Sequence, residues 1–217
     1  MNIEKFAQQR GQVASIMTRL YQTRLTTTSG GNISLRLNKE LFCITPSKLD
    51  KANLSSDTIA VVTLEGENLT PHLPLSIESE MHRKCLLSRP DIDAVVHAHP
   101  VYASLFTAMK GTINTKLLAE SWYLLEEPAF APYSQMGSTS LADTVSQMVK
   151  ESPVILMENH GVLTIGKTLI EAFDLIEVLE NSAKMTFISE MLESTGKWKI
   201  SSLNRERSDE LMRMKYS

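Results

Sequence analysis

The run Ala94-Val95-Val96-His97-Ala98-His99-Pro100 constrains this chain more than any other stretch. A short apolar segment carries two histidines at i and i+2 and then meets a proline. In a strand, side chains at that spacing share a face, so His97 and His99 aim two imidazoles at one point. Pro100 cannot extend a ladder but suits the first turn of a helix. The run therefore predicts a strand over 92–99, a helix over 100–109, and two imidazoles at the strand's carboxyl end, where open sheets place their ligands. Two converging imidazoles are half of a divalent-metal site. The same pair also suits a solvated edge or a hydrogen-bonded core, so the rest of the chain must decide.

Apolar residues at Phe6, Val13, Ile16, Met17, Leu20 and Tyr21 fit an amphipathic helix over 3–24. Segments 32–37 and 41–45 read as a β-hairpin turning at Asn38-Lys39-Glu40, and 58–64 as a third strand. Ser76 is placed to cap a helix over 77–87. Beyond the histidine strand, 121–125 reads as a short strand and Ser138 as the cap of a helix reaching Val149. Segments 153–157 and 162–166 form two strands joined by Glu158-Asn159-His160-Gly161, and Thr168 caps a long helix to about Leu192. The tail, 201–217, is strongly charged and reads as a helix or a mobile end. A strand meander followed by interleaved helices and strands predicts an α/β (α+β-like) fold. It is a central mixed, mostly antiparallel sheet flanked by helices, in one domain over 1–217.

The 217 residues suffice for a substantial core, and the net charge of −3 comes without a basic patch. Nucleic acid is therefore not an expected partner. No apolar stretch approaches a membrane span, and the N-terminus has no apolar signal core, so no membrane partner is expected and the location reads as cytoplasmic. Cys43 and Cys85 lie in apolar surroundings and read as buried free thiols of a reducing compartment.

Only five histidines exist: His72, His82, His97, His99 and His160. His160 sits in a tight turn between two strands, from which it can reach a neighbouring strand end. Three histidines with one open position form a catalytic zinc arrangement. Glu78 and Glu80 begin the helix before the histidine strand. Glu78 shares a face with His82 at i, i+4 and suits a fourth ligand or a proton shuttle. Glu80, about 200° around the helix from Glu78, faces solvent. His82 reads as a packed side chain rather than a ligand. Gly30-Gly31-Asn32 frees backbone N–H groups for an anion, and Ser47, Lys48 and Ser76 add hydroxyls and a cation. These segments fit a phosphate pocket beside the metal.

Taken together, the residues resemble the class II aldolase/adducin family over nearly the whole chain. The pieces are Gly31-Asn32-Ile33-Ser34, Ile44-Thr45-Pro46-Ser47, Ser76-Ile77-Glu78, Ser88-Arg89-Pro90-Asp91, the His97-Ala98-His99 strand, Ala131-Pro132-Tyr133 and Asn159-His160-Gly161. The resemblance implies a cytosolic, Zn²⁺-dependent enzyme, one ion per subunit, forming a homotetramer with sites between subunits. It implies His97, His99 and His160 as metal ligands and Glu78 as ligand or acid/base. Gly31, Asn32, Ser47 and Ser76 would hold the phosphate, with Lys48 beside them. The expected reaction is reversible cleavage of a ketose phosphate, of the L-fuculose 1-phosphate kind, to dihydroxyacetone phosphate and a small aldehyde.

Two departures stand out. Ile77 replaces a second serine before the glutamate, and Ser47-Lys48 replaces a Thr-Gly pair. Tyr216 is the candidate for the tyrosine that members of the family send into a neighbouring subunit's site, with Tyr133 as its rival for the second acid/base. Other outcomes are a sugar-phosphate 4-epimerase or a sugar-acid phosphate decarboxylase on the same fold. The epimerases carry Asp where this chain has Glu78, which favours the aldolase. A metal-free, adducin-like interaction domain is the alternative of another class, but it lacks the ligand histidines that all stand here.

Overall fold

A computed structural model describes residues 3–216. Seven strands form one sheet: β1 (Asn32–Arg36), β2 (Leu41–Ile44), β3 (Ala60–Thr63), β4 (Ala94–Ala98), β5 (Ala129–Ala131), β6 (Val154–Met157) and β7 (Gly161–Gly166). Their order is β3-β2-β1-β4-β7-β6-β5. Every neighbouring pair is antiparallel except β5 and β6. The histidine strand β4 is thus the central one, as a buried apolar run demands.

Helices cover both faces. Alternation along β4 sends Ala94, Val96 and Ala98 into a core shared with α1 (Ala7–Gln22), α3 (Val101–Met109) and α6 (Leu169–Ser194). Val13, Met17 and Leu20 form the stripe of α1, and Phe173, Ile176 and Leu179 that of α6; all are almost wholly buried. The opposite face packs Val95 against α2 (Ser79–Ser88) and α5 (Thr139–Met148) through Met81, Cys85, Leu86, Leu141 and Val145. His97, two residues beyond Val95, therefore points towards the α2 side.

Several expectations need correction. Residues 121–125 lie in a helix, α4 (Ala119–Leu125), not a strand. Its buried residues, Ser121 and Leu125, are spaced i, i+4, and the Trp-Tyr-Leu run between them is only partly buried. The edge strand of this region is β5, which lies wholly beyond the expected 121–125 and is three residues long. Ser76 does not occupy the N-cap position of α2. The helix starts at Ser79 with Glu78 as N-cap, and the Ser76 hydroxyl accepts the Glu78 N–H at 3.3 Å one turn earlier. The tail is helical, α7 (Arg205–Tyr216). Ser138 and Thr168 both cap as expected, accepting the N–H groups of Leu141 and Glu171. Cys43 and Cys85 are free and buried, and burial pushes both thiols up to about 12. No helix among the described residues is long and apolar enough to cross a membrane.

Candidate metal centre and anion pocket

Three histidines from two places in the chain meet at the carboxyl end of β4. One ring nitrogen each of His97, His99 and His160 lie within 4.8 Å of one another. His97 is the last residue but one of β4, and His99 follows the strand before the turn into α3. His160 comes from the β6–β7 turn, where Asn159 takes the left-handed conformation (φ 53°) and the His160 N–H closes on the Met157 carbonyl at 3.1 Å. Asparagine tolerates that backbone better than most side chains.

Glycines make room for the rings. A Cβ on Gly161 would lie 2.6 Å from the His99 ring, and one on Gly30 2.9 Å from His99 Nδ1. Gly31 has φ +67°, and a Cβ there would meet the His97 carbonyl at 2.7 Å. Gly31 needs glycine for conformation and for close approach, Gly30 and Gly161 for close approach.

The rings are set up as ligands. His97 is fully buried, and its Nδ1–H donates to the Val162 carbonyl at 2.9 Å, which leaves the Nε2 lone pair facing inwards. His97 Nε2 and both ring nitrogens of His160 are buried without a hydrogen-bond partner. Such orphaned groups are costly unless something binds them. Burial, and then the neighbouring imidazoles, push His99 down to about 3; burial likewise lowers His97, against the pull of Glu78. Neutral imidazole is the form that binds a metal. Three converging ring nitrogens, with the buried His97 and His160 atoms left unpartnered, fit a divalent cation.

Glu78 closes the opening. Its Oε1 lies 2.9 Å from His160 Nε2 and its Oε2 3.3 Å from His97 Nε2. Burial alone would raise its carboxyl. The His97 ring, then His160 and the Asn32 amide, outweigh this and hold it well below the usual carboxylate range. Glu80 faces away, paired with Arg83 at 2.7 Å.

The segments expected to hold an anion are tied together by hydrogen bonds. Asn32 Nδ2 donates to Ser76 Oγ at 3.1 Å and to Glu78 Oε2 at 2.8 Å. Ser47 donates its N–H to the Pro74 carbonyl at 3.0 Å and its hydroxyl to the Leu75 carbonyl at 2.9 Å. Ser76 Oγ accepts twice, from Asn32 and from the Glu78 N–H, so its own proton is available to a ligand. Lys48 sits beside Ser47 with φ 61°. Ile77 is more than half exposed next to Glu78.

Tyr216 is not in hydrogen-bond contact with the histidines of its own chain. Its hydroxyl donates to Glu126 Oε1 at 2.5 Å, and Lys215 Nζ reaches the same oxygen at 2.8 Å. Tyr133 is exposed, and its backbone N–H donates to Glu158 Oε2 at 3.0 Å, two residues before His160.

Two features escape the sequence. His82 is packed and satisfied as expected, but its partners are not named by the sequence: it bonds Ser34 Oγ at 2.7 Å and Asn32 Oδ1 at 2.5 Å. Its signal was the pair of polar residues Asn32 and Ser34 on one face of a strand, together with the i, i+4 spacing from Glu78. Lys51 is buried, with its ammonium on the Pro46 carbonyl and its N–H on the Thr28 carbonyl. A lysine in a polar loop carries no mark of burial.

Known proteins are similar to this chain in architecture and in sequence. The Class II Aldolase and Adducin N-terminal domain matches residues 11–187. An L-fuculose phosphate aldolase of Methanococcus maripaludis is 36% identical over 169 residues, covering 78% of this chain and 90% of the relative. A 3-oxo-tetronate 4-phosphate decarboxylase of Haemophilus influenzae is 28% identical, covering 77% and 81%. The crystal structure of L-fuculose-1-phosphate aldolase from Thermus thermophilus superposes with a TM-score of 0.77 at 26% identity, covering 86% of this chain and 96% of that one. With the family model matched over residues 11–187 and a relative 36% identical over most of both chains, this chain belongs to the class II aldolase/adducin family.

Proposed function

We propose that this enzyme is a zinc-dependent aldolase that reversibly cleaves a ketose phosphate, of the L-fuculose 1-phosphate kind, to dihydroxyacetone phosphate and a small aldehyde. The observation that carries the reading is the buried carboxylate Glu78 set against three inward-facing histidine nitrogens. His97, His99 and His160 would hold a divalent cation, which would supply Lewis-acid stabilisation of the negative charge left by carbon–carbon bond cleavage.

The chain's own groups do the rest. The low carboxyl of Glu78 keeps it ionised at neutral pH. In the condensation direction it takes the proton from the carbon beside the carbonyl of dihydroxyacetone phosphate, and in cleavage it returns that proton. The Ser76 hydroxyl, the N–H groups around Gly31 and the Lys48 ammonium receive the phosphate, with Ser47 and Asn32 holding the pocket's walls together. Tyr216 of a neighbouring subunit, or Tyr133, exchanges the proton of the hydroxyl that becomes the aldehyde. This division of labour goes with a cytoplasmic homotetramer.

The decarboxylase-named relatives favour a second reading, in which the same site expels carbon dioxide from a 3-oxo sugar-acid phosphate. Both reactions leave a carbanion beside a carbonyl, so the metal and Glu78 would serve either. Zinc-loaded protein assayed against ketose phosphates and 3-oxo acid phosphates separates them. Aldehyde with dihydroxyacetone phosphate supports the aldolase; carbon dioxide release replaces it with the decarboxylase. Purified protein that takes up no divalent cation overturns both.

A further inference from the structure

His82 is fully buried, one helical turn beyond Glu78, and its ring bridges two residues of β1. Asn32 Oδ1 can only accept a hydrogen bond, so His82 Nε2 carries the proton and donates it. His82 Nδ1 is then a lone pair, and the Ser34 hydroxyl donates to it. With Oδ1 occupied in this way, both protons of Asn32 Nδ2 face outwards, one to Ser76 Oγ and one to Glu78 Oε2. The opposite amide orientation would set an oxygen against the carboxylate and an N–H against the His82 N–H. The chain Ser34→His82→Asn32→Glu78 therefore has one direction.

We infer that His82 is a positioning residue: its Nε2–H fixes the Asn32 side-chain amide so that it donates to Glu78 Oε2 and holds the carboxylate in place. The inference rests on the role given to Glu78 above. The His82 ring touches neither Glu78 nor the metal ligands by hydrogen bond; its backbone N–H closes the first turn of α2 on the Glu78 carbonyl at 3.2 Å, and the ring reaches the carboxylate through Asn32 alone. A ring that only filled space would be replaceable by any side chain of similar bulk. A ring that supplies a donor is replaceable only by another donor.

The test compares His82→Leu with His82→Gln in the zinc-loaded protein, alone and with Asn32→Ala. His82→Leu should lower kcat about 10- to 100-fold with KM and bound zinc unchanged. His82→Gln, which can still donate to Asn32, should restore most of kcat. In the Asn32→Ala background, His82→Leu should cause no further loss. Equal losses in the two His82 variants, or full additivity with Asn32→Ala, would overturn the inference. Independently of turnover, ¹⁵N spectra of histidine-labelled protein should show His82 as the neutral Nε2–H tautomer. An Nδ1–H tautomer would overturn the inference even if the Leu variant fails to fold. If the wild type cleaves no ketose phosphate, the functional reading falls, while the tautomer still decides the direction of the chain.

Discussion

Glu78 and Gly161 are where single atoms matter most. Glu78→Gln keeps the shape and the Asn32 contact but removes the base. Turnover of the zinc-loaded protein should fall by at least about 10²-fold while its metal content matches that of the wild type, checked by steady-state kinetics and elemental analysis on one preparation. A drop in zinc instead would make Glu78 a ligand first. Gly161→Ala places a methyl 2.7 Å from the Ala98 carbonyl and 2.6 Å from the His99 ring. The backbone contact cannot be relieved by a rotamer, so His99 must move. Zinc affinity should fall about 10- to 100-fold by competition with a chromogenic chelator.

The helix α6 shows how much a start signal contributes. Thr168 accepts the Glu171 N–H at 3.1 Å, and Glu171 Oε2 in turn accepts the Lys167 N–H at 2.8 Å. Thr168→Ala should cost about 1 kcal/mol and lower Tm by roughly 2–4 °C in a scanning calorimeter. Signals of this kind are why much of the architecture was legible. Two histidines before Pro100 announced the end of β4, Ser138 and Thr168 announced α5 and α6, and Asn159-His160-Gly161 announced the β6–β7 turn. Local pattern failed where tertiary context decided. Trp122, Tyr123 and Leu124 favour a strand by type, but Ser121 and Leu125 are buried one helical turn apart. Three residues of β5 are too few to show alternation. The Ser34–His82–Asn32 chain needs both the register of β1 on β4 and the phase of α2, which no single stretch contains.

Considered as one body, the protein carries an electrostatic cost at Lys51. Burial without a carboxylate lowers its ammonium from 10.5 to about 8. Below pH 8 both states are protonated and the full cost applies. Between pH 8 and 10.5 the unfolded chain holds more protons than the folded one, so stability rises with pH. The Lys51 contribution amounts to about 3 kcal/mol across that window. Lys51→Met should remove this rise, seen as a flatter difference in urea midpoint between pH 7.5 and 10.5. The central sheet has a further consequence. Asn32 faces His97 across β1 and β4, and Leu163 faces it across β4 and β7, so the ligands assemble only when strands distant in sequence have paired. Such pairing is slow compared with local structure. Capture of the cation is thus a clock on folding: in a stopped-flow refolding run with a fluorescent zinc indicator, uptake should follow the early collapse and coincide with the last phase, when the middle of the sheet locks.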